Sequence, residues 1–142
     1  MELPEPEPGL VISYSYLWRR EQRQGQEEGR KDRPCVVVLA VQREQGRTVV
    51  SVAPITHSAP VAGQDAVELP PRLKAQIGLD AERSWVVTDE VNSFDWPGYD
   101  VRPARGRSGV AYGVIPSRLF DQITARLREN AKAQRLTFVR RD

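Results

Sequence analysis

Arg33 opens one Val-rich run of the chain, and Thr56 and His57 close the next. The first run, CVVVLAV, starts at Cys35 behind Pro34; the second, TVVSVAPI, ends at Ile55. A guanidinium binds phosphate oxygens bidentately and keeps its charge at neutral pH. A hydroxyl can hydrogen-bond the same phosphate, and imidazole is the side chain whose ordinary titration suits proton transfer near neutrality. This set suits cleavage of a phosphodiester by its own 2′-hydroxyl. RNA carries that nucleophile internally, so the protein need only position it, move protons and neutralise charge on phosphorus. One arginine aimed at that charge is worth about 3 kcal/mol. Plainer readings stand beside this one: Arg33 as a surface residue at a strand entry, Thr56 as a strand end, His57 as an exposed loop residue.

Other chemistries lack their residues. With a single His, a single Cys and no carboxylates at ligand spacing, a catalytic or structural metal site is not expected. No GxSxG nucleophile motif, phosphate-binding P-loop or dinucleotide glycine fingerprint is present. No cofactor is expected.

The chemistry needs a scaffold that brings residues 33 and 56 together. Two β-branched runs joined by the polar connector Gln42–Gly46 read as a hairpin, whose outer ends meet on one rim of a sheet. Before it, LVISYSYLW alternates Leu10, Ile12, Tyr14 and Tyr16 against Ser13 and Ser15, the pattern of a half-buried strand. Between them lies a charged, glycine-containing connector, residues 20–32, long enough to be functional or mobile. After the hairpin come a loop (58–65), a short strand (66–69), and a helical turn or two from Pro70-Pro71 to a Gly78 cap. SWVVTDEV (84–91) reads as a further strand, continued or bent into NSFDW, and the stretch 99–111 is polar and Arg-rich with a possible edge strand at its start. A final helix is expected over 117–135, with Leu119, Phe120, Ile123, Leu127 and Ala131 as its apolar stripe. Strands first and one long helix last favour a small twisted antiparallel barrel.

At 142 residues the chain suits one compact domain. The expected division is a disordered tail at 1–8, a domain at 9–135 and a C-terminal tail at 136–142. No apolar run approaches the roughly 18–20 residues of a membrane span, and MELPEPEPG lacks the basic and apolar regions of a secretion signal. Cys35, inside an apolar run, reads as a small core residue without a disulfide. A cytoplasmic protein without a membrane partner is expected. The net charge of +2 says little about a nucleic-acid partner, although basic residues bunch at 19–20, 30–33 and 102–107.

An ordered series of motifs resembles the MazF/PemK growth-inhibitor toxins of bacterial toxin–antitoxin systems. It comprises the strand after Gly9, G-x-E at Gly25-Gln26-Glu27, Arg33-Pro34 before an apolar strand, Pro54-Ile55-Thr56, WVVTDEVNSFDW from Trp85 to Trp96, and the C-terminal helix. The resemblance spans Gly9 to about Asn130. It implies a mainly β fold with some α: an SH3-like, partly open antiparallel barrel carrying a short helix and a C-terminal helix. It also implies a homodimer that cleaves single-stranded RNA without metal, leaving a 2′,3′-cyclic phosphate and a 5′-hydroxyl, and that a cognate antitoxin neutralises. Arg33 matches the arginine assigned to acid/base or phosphate-stabilising work, Thr56 the hydroxyl beside it, and Asp89 an acidic residue implicated in some members. Its high pKa makes Arg33 a better electrostatic stabiliser than a base. His57 is the remaining catalytic candidate.

For RNA contact, Arg30 and Lys31 can hold phosphates, Asn92 and Ser93 can read base edges, Trp96 and Phe94 can stack on bases, and Ser58 joins this set from the loop. Trp85, Phe94 and Trp96 also suit a core or a dimer interface. The chain departs from the family pattern at Leu10, where an aspartate is common, and at Val87, where some members carry a second arginine. Two other functions stay open: a non-catalytic gyrase poison of the CcdB type, which shares the barrel, and an RNA-binding or antitoxin-docking module without catalysis.

Overall fold

The computed structural model describes residues 3–26, 29 and 31–141. Its strands are β1 (Leu10–Tyr14), β2 (Arg33–Gln42), β3 (Thr48–Thr56), β4 (Ala66–Glu68), β5 (Trp85–Val87), β6 (Glu90–Asp95), β7 (Val101–Arg102), β8 (Ala111–Val114) and β9 (Thr137–Arg140). Among the described residues the α-helices are α1 (Arg19–Arg23), α2 (Pro71–Gln76) and α3 (Ser117–Lys132). The strands form one sheet in the order β4-β5-β3-β2-β1-β7, with β8 also on β1, and β6 on β3 and β9. Every pairing is antiparallel except β6 with β9. The architecture is the mainly antiparallel, SH3-like fold with short helices and a C-terminal helix.

The long hairpin β2–β3 is the spine. A bulge at Val38 separates two stretches of regular pairing; an extra residue of this kind bends a strand and deepens its twist. β3 then serves two neighbours on its other edge, β6 along Val49–Val52 and β5 at Ile55–Thr56. The run expected as one strand over 84–91 is therefore two strands, broken at Thr88-Asp89, because each half pairs a different end of β3.

The sheet buries both faces. Ile12, Tyr14, Cys35, Val37, Val50, Val52 and Phe94 pack on one side, while Val11, Val36, Ala53 and Ile55 face Leu73 and Ile77 near α2 and Leu119, Ile123 and Leu127 of α3. β1 is thus buried throughout rather than half-buried, with Ser13 and Ser15 almost inaccessible. Their backbone N–H groups donate to Val110 O and Asp100 O at 2.8 Å each, so the chain beside β7 and β8 continues the pairing along the β1 edge. Cys35 is a free, fully buried thiol whose pKa burial pushes up.

α3 ends three residues before the expected Arg135, where Gln134 takes a left-handed φ of 58° and Arg135 N–H returns to Asn130 O. Ala131 is exposed; Asn130 occupies the buried position on that turn, donating to Asp65 Oδ2 at 2.9 Å and Thr88 O at 2.7 Å. Residues 136–142, expected as a tail, contribute β9. Val139 is wholly buried there, and buried Arg141 pairs with Asp100 at 2.8 Å. Pro6, within the stretch expected as an N-terminal tail, is buried. No helix among the described residues is long and apolar enough to cross a membrane.

Candidate functional site

The register of the hairpin builds the site. Cys35 pairs with Pro54, and the same register carried two residues outward sets Arg33 opposite Thr56. Both line a cleft of about 1250 Å³. Trp18, Arg20, Glu21, Lys31 and Asp32 wall it from the β1–β2 connection, His57 and Ser58 from the loop after β3, Asp80 from the α2–β5 connection, and Arg105 and Tyr112 from the β7–β8 region.

Arg33 is the most constrained cation in it. Burial lowers its pKa from the ordinary guanidinium value, and its Nε is buried without a partner. Among the described residues it makes no ion pair. Its guanidinium carbon lies 5.1 Å from the centroid of the Trp18 ring, which carries Arg20 as well at 5.0 Å. An unpartnered buried donor costs about 1–3 kcal/mol until an acceptor arrives. Thr56 Oγ1 accepts the Ser58 amide at 3.2 Å, which leaves its hydroxyl hydrogen available to a ligand.

His57 is held from both sides: Nε2 is 2.8 Å from Asp80 Oδ2 and Nδ1 is 3.1 Å from Glu82 Oε2. Each ring nitrogen thus faces one carboxylate. The three residues form a group whose ligand atoms lie within 4.8 Å of one another, a spacing a metal ion could bridge. Lys74 already supplies positive charge there, its Nζ 3.1 Å from Asp80 Oδ1, and it also donates to Glu82 O.

Of the acidic side chains in the cleft, Glu21 caps the Trp18 backbone N–H at 3.1 Å, Asp32 faces Arg102 at 3.6 Å, and Asp80 serves His57 and Lys74. Arg20, Lys31, Arg33 and Arg105 make no ion pair among the described residues. Among the described residues the uncommitted charge in the cleft is therefore positive, which suits a polyanion.

The structure brings Arg33, Thr56, His57, Lys31 and Ser58 together. Arg30, and Glu27 of the G-x-E motif, lie outside the described residues. The β6 candidates are elsewhere. Ser93 pairs with Ser51, five residues up β3 from Thr56 and roughly 17 Å away along a strand; its hydroxyl bonds Ser51 Oγ at 2.8 Å. Asn92 is wholly buried, so it reads no base edge: Oδ1 accepts Leu17 N–H at 2.9 Å and Nδ2 donates to Leu17 O at 2.8 Å. Phe94 is buried and stacked on Tyr14 at 4.6 Å, and half-buried Trp96 packs on Phe94 at 6.2 Å. Asp89 borders a separate cavity of about 360 Å³ with Asp65, Asn130 and Arg135. Its pKa is raised by burial, and its Oδ2 accepts Asp65 N–H at 3.0 Å.

Trp18 and Arg20 are the residues that sequence reasoning passed over. Their available signal was an aromatic followed by two arginines where a buried strand gives way to a charged connector. Asp80 and Glu82 had none, since only the fold brings them to His57.

A family model described as PemK-like, MazF-like toxin of type II toxin-antitoxin system matches residues 16–130. No curated protein and no solved structure matches.

Proposed function

The chain belongs to the PemK-like, MazF-like toxins of type II toxin–antitoxin systems, and from that membership we propose that it is an endoribonuclease acting on single-stranded RNA. The observation that carries the reading is Arg33, a desolvated guanidinium that makes no ion pair among the described residues, set by strand register across from the Thr56 hydroxyl in a cleft whose free charge among those residues is positive.

The RNA 2′-oxygen attacks the adjacent phosphorus; the 2′-O–P bond forms as the P–O5′ bond breaks. Arg33 hydrogen-bonds the phosphoryl oxygens as their charge grows, and Thr56 donates to the same group. His57, poised between Asp80 and Glu82, gives a proton to the departing 5′-oxygen and regains one released from the 2′-hydroxyl through water. The products are a 2′,3′-cyclic phosphate and a 5′-hydroxyl. No step calls for a metal, because the nucleophile is internal. Lys31 and Ser58 extend the cleft along the backbone of the strand. The family membership brings a cognate antitoxin as partner, and a homodimer is the expected assembly.

The test is to map cut sites on a long RNA, with end-group analysis, with and without EDTA. Fragments with cyclic-phosphate and 5′-hydroxyl ends, formed equally in EDTA, are expected. Arg33→Ala and Thr56→Ala should each lower the rate about 100- to 1000-fold while melting near wild type. Wild-type rates in both variants would remove the site assignment, and an absolute metal requirement would remove the mechanism. Inhibition of gyrase without RNA cleavage would place the protein with the non-catalytic poisons.

A further inference from the structure

We propose that Trp18 and Arg20 form the second half of the phosphate site. The indole holds the Arg33 guanidinium in its working position, and Arg20, carried on the same ring, is a second cation for the scissile phosphodiester. This rests on the endoribonuclease reading of the same cleft.

The two guanidinium carbons stand 5.0 and 5.1 Å from one ring centroid, and all three residues line the cleft. A cation over an indole is attracted by the ring's quadrupole. Two cations on one ring also repel each other; burial first, and then the charge of Arg20, act to lower the Arg33 pKa. That repulsion is relieved when an anion settles between them. The relief grows with the anion's charge, so the arrangement favours the dianionic phosphorane over the monoanionic diester, which is the preference a catalyst needs.

The ring is fixed from behind. The Trp18 backbone N–H caps onto Glu21 Oε1 at 3.1 Å, and Tyr16 meets the indole edge-on at 5.0 Å with its own hydroxyl bonded to Glu90 at 2.8 Å. Leu17, the residue before, is pinned through both its N–H and its C=O by Asn92. α1 turns Glu21 inward, where it is buried, and leaves Arg20 exposed on the cleft side. The indole Nε1–H and the Arg33 Nε–H are both buried without acceptors, so both partners of this contact keep donors unspent.

The experiment uses the purified full chain and an oligoribonucleotide containing a mapped cut site, with a 2′-deoxy version of it as a binding probe that cannot be cleaved. Arg20→Gln should lower kcat at least 10-fold and reduce the slope of log affinity against log salt by about 0.7, the value for one phosphate contact on a single strand. Arg20→Lys should restore that slope. Trp18→Leu should lower kcat about 10- to 100-fold with KM within about 3-fold, and Trp18→Phe, which keeps an aromatic face, should stay within about 5-fold of wild type. Melting curves show whether Trp18→Leu folds; exposed Arg20 keeps the test valid if it does not. An unchanged salt slope in Arg20→Gln, or equal losses in Trp18→Phe and Trp18→Leu that track their folded fractions, would overturn the proposal. If Arg33→Ala is inactive while the Trp18 and Arg20 variants match wild type, this proposal alone fails. If wild type cuts no RNA, or Arg33→Ala cuts as wild type does, the endoribonuclease reading fails and takes this one with it.

Discussion

Substitution of Asn92 by alanine separates a clamp from a base reader. The side chain is wholly buried and spans two elements distant in sequence: it accepts from Leu17 N–H at 2.9 Å, donates to Leu17 O at 2.8 Å, and accepts from Arg141 Nη1 at 3.1 Å. Asn92→Ala leaves both backbone groups of Leu17, itself only 2 % exposed, without these partners. Each unsatisfied buried group costs about 1–3 kcal/mol. Arg141 loses less, since it keeps Ser15 O and Asp100. A total near 3 kcal/mol is expected, allowing for partial relaxation of the Leu17 segment. A chain of this length has an unfolding entropy of about 0.3 kcal/mol/K, so Tm should fall by about 10 °C. The second consequence is catalytic. Leu17 anchors Trp18 and through it Arg33, so kcat in the folded variant at low temperature should fall while the RNA sequence preference stays as in wild type. Thermal melts by circular dichroism and cut-site mapping on one long RNA read the two effects. A Tm within about 2 °C of wild type together with an altered cut-site preference would refute the reasoning and return Asn92 to the RNA-reading set.

Burial acts to raise the Asp65 pKa, but hydrogen bonds from Arg126, Thr88 and Asn130 outweigh it and hold the pKa down at about 2 against an ordinary 3.8. The unfolded chain then binds more protons in that window, so stability is present above about pH 4 and lost as pH falls toward 2; Asp65→Asn should cost about 1–2 kcal/mol at pH 6 and much less at pH 2.5 by urea titration. Arg141→Met leaves Asp100 buried without this guanidinium, and a loss of about 3–5 kcal/mol in the same titration is expected; no loss would mean that β9 is not integral to the sheet. Gln134→Gly, at a left-handed turn with φ 58°, should raise stability by about 0.5–1 kcal/mol, and a lowered Tm would count against the cap.

What the sequence alone determined is what short-range rules govern. Two β-branched apolar runs around a polar connector specify the β2–β3 hairpin and bring Arg33 and Thr56 to one rim, while the bulge at Val38, which only the structure shows, sets the register that puts them opposite each other. The period of 3.6 in Leu119, Ile123 and Leu127 specifies α3, and Pro71 and Gly78 bracket α2. Side-chain type and spacing along one segment are enough for these. The rest depends on contacts between segments that no local pattern encodes. NSFDW reads equally well as a base-stacking surface or a core strand, and only its pairing with the middle of β3, away from the rim, decided for the core. RLTFVRRD carries no period long enough to announce a strand; the open edge of β6 and the buried charge of Asp100 made it one. Asp80 and Glu82 reach His57 across 23 and 25 positions, and the Trp18 ring reaches Arg33 across 15. The hairpin could name the residues for the chemistry, but only the packing of β1, α1 and β6 around its rim decided what holds them, because a side chain's orientation is set by neighbours that are close in space and remote along the chain.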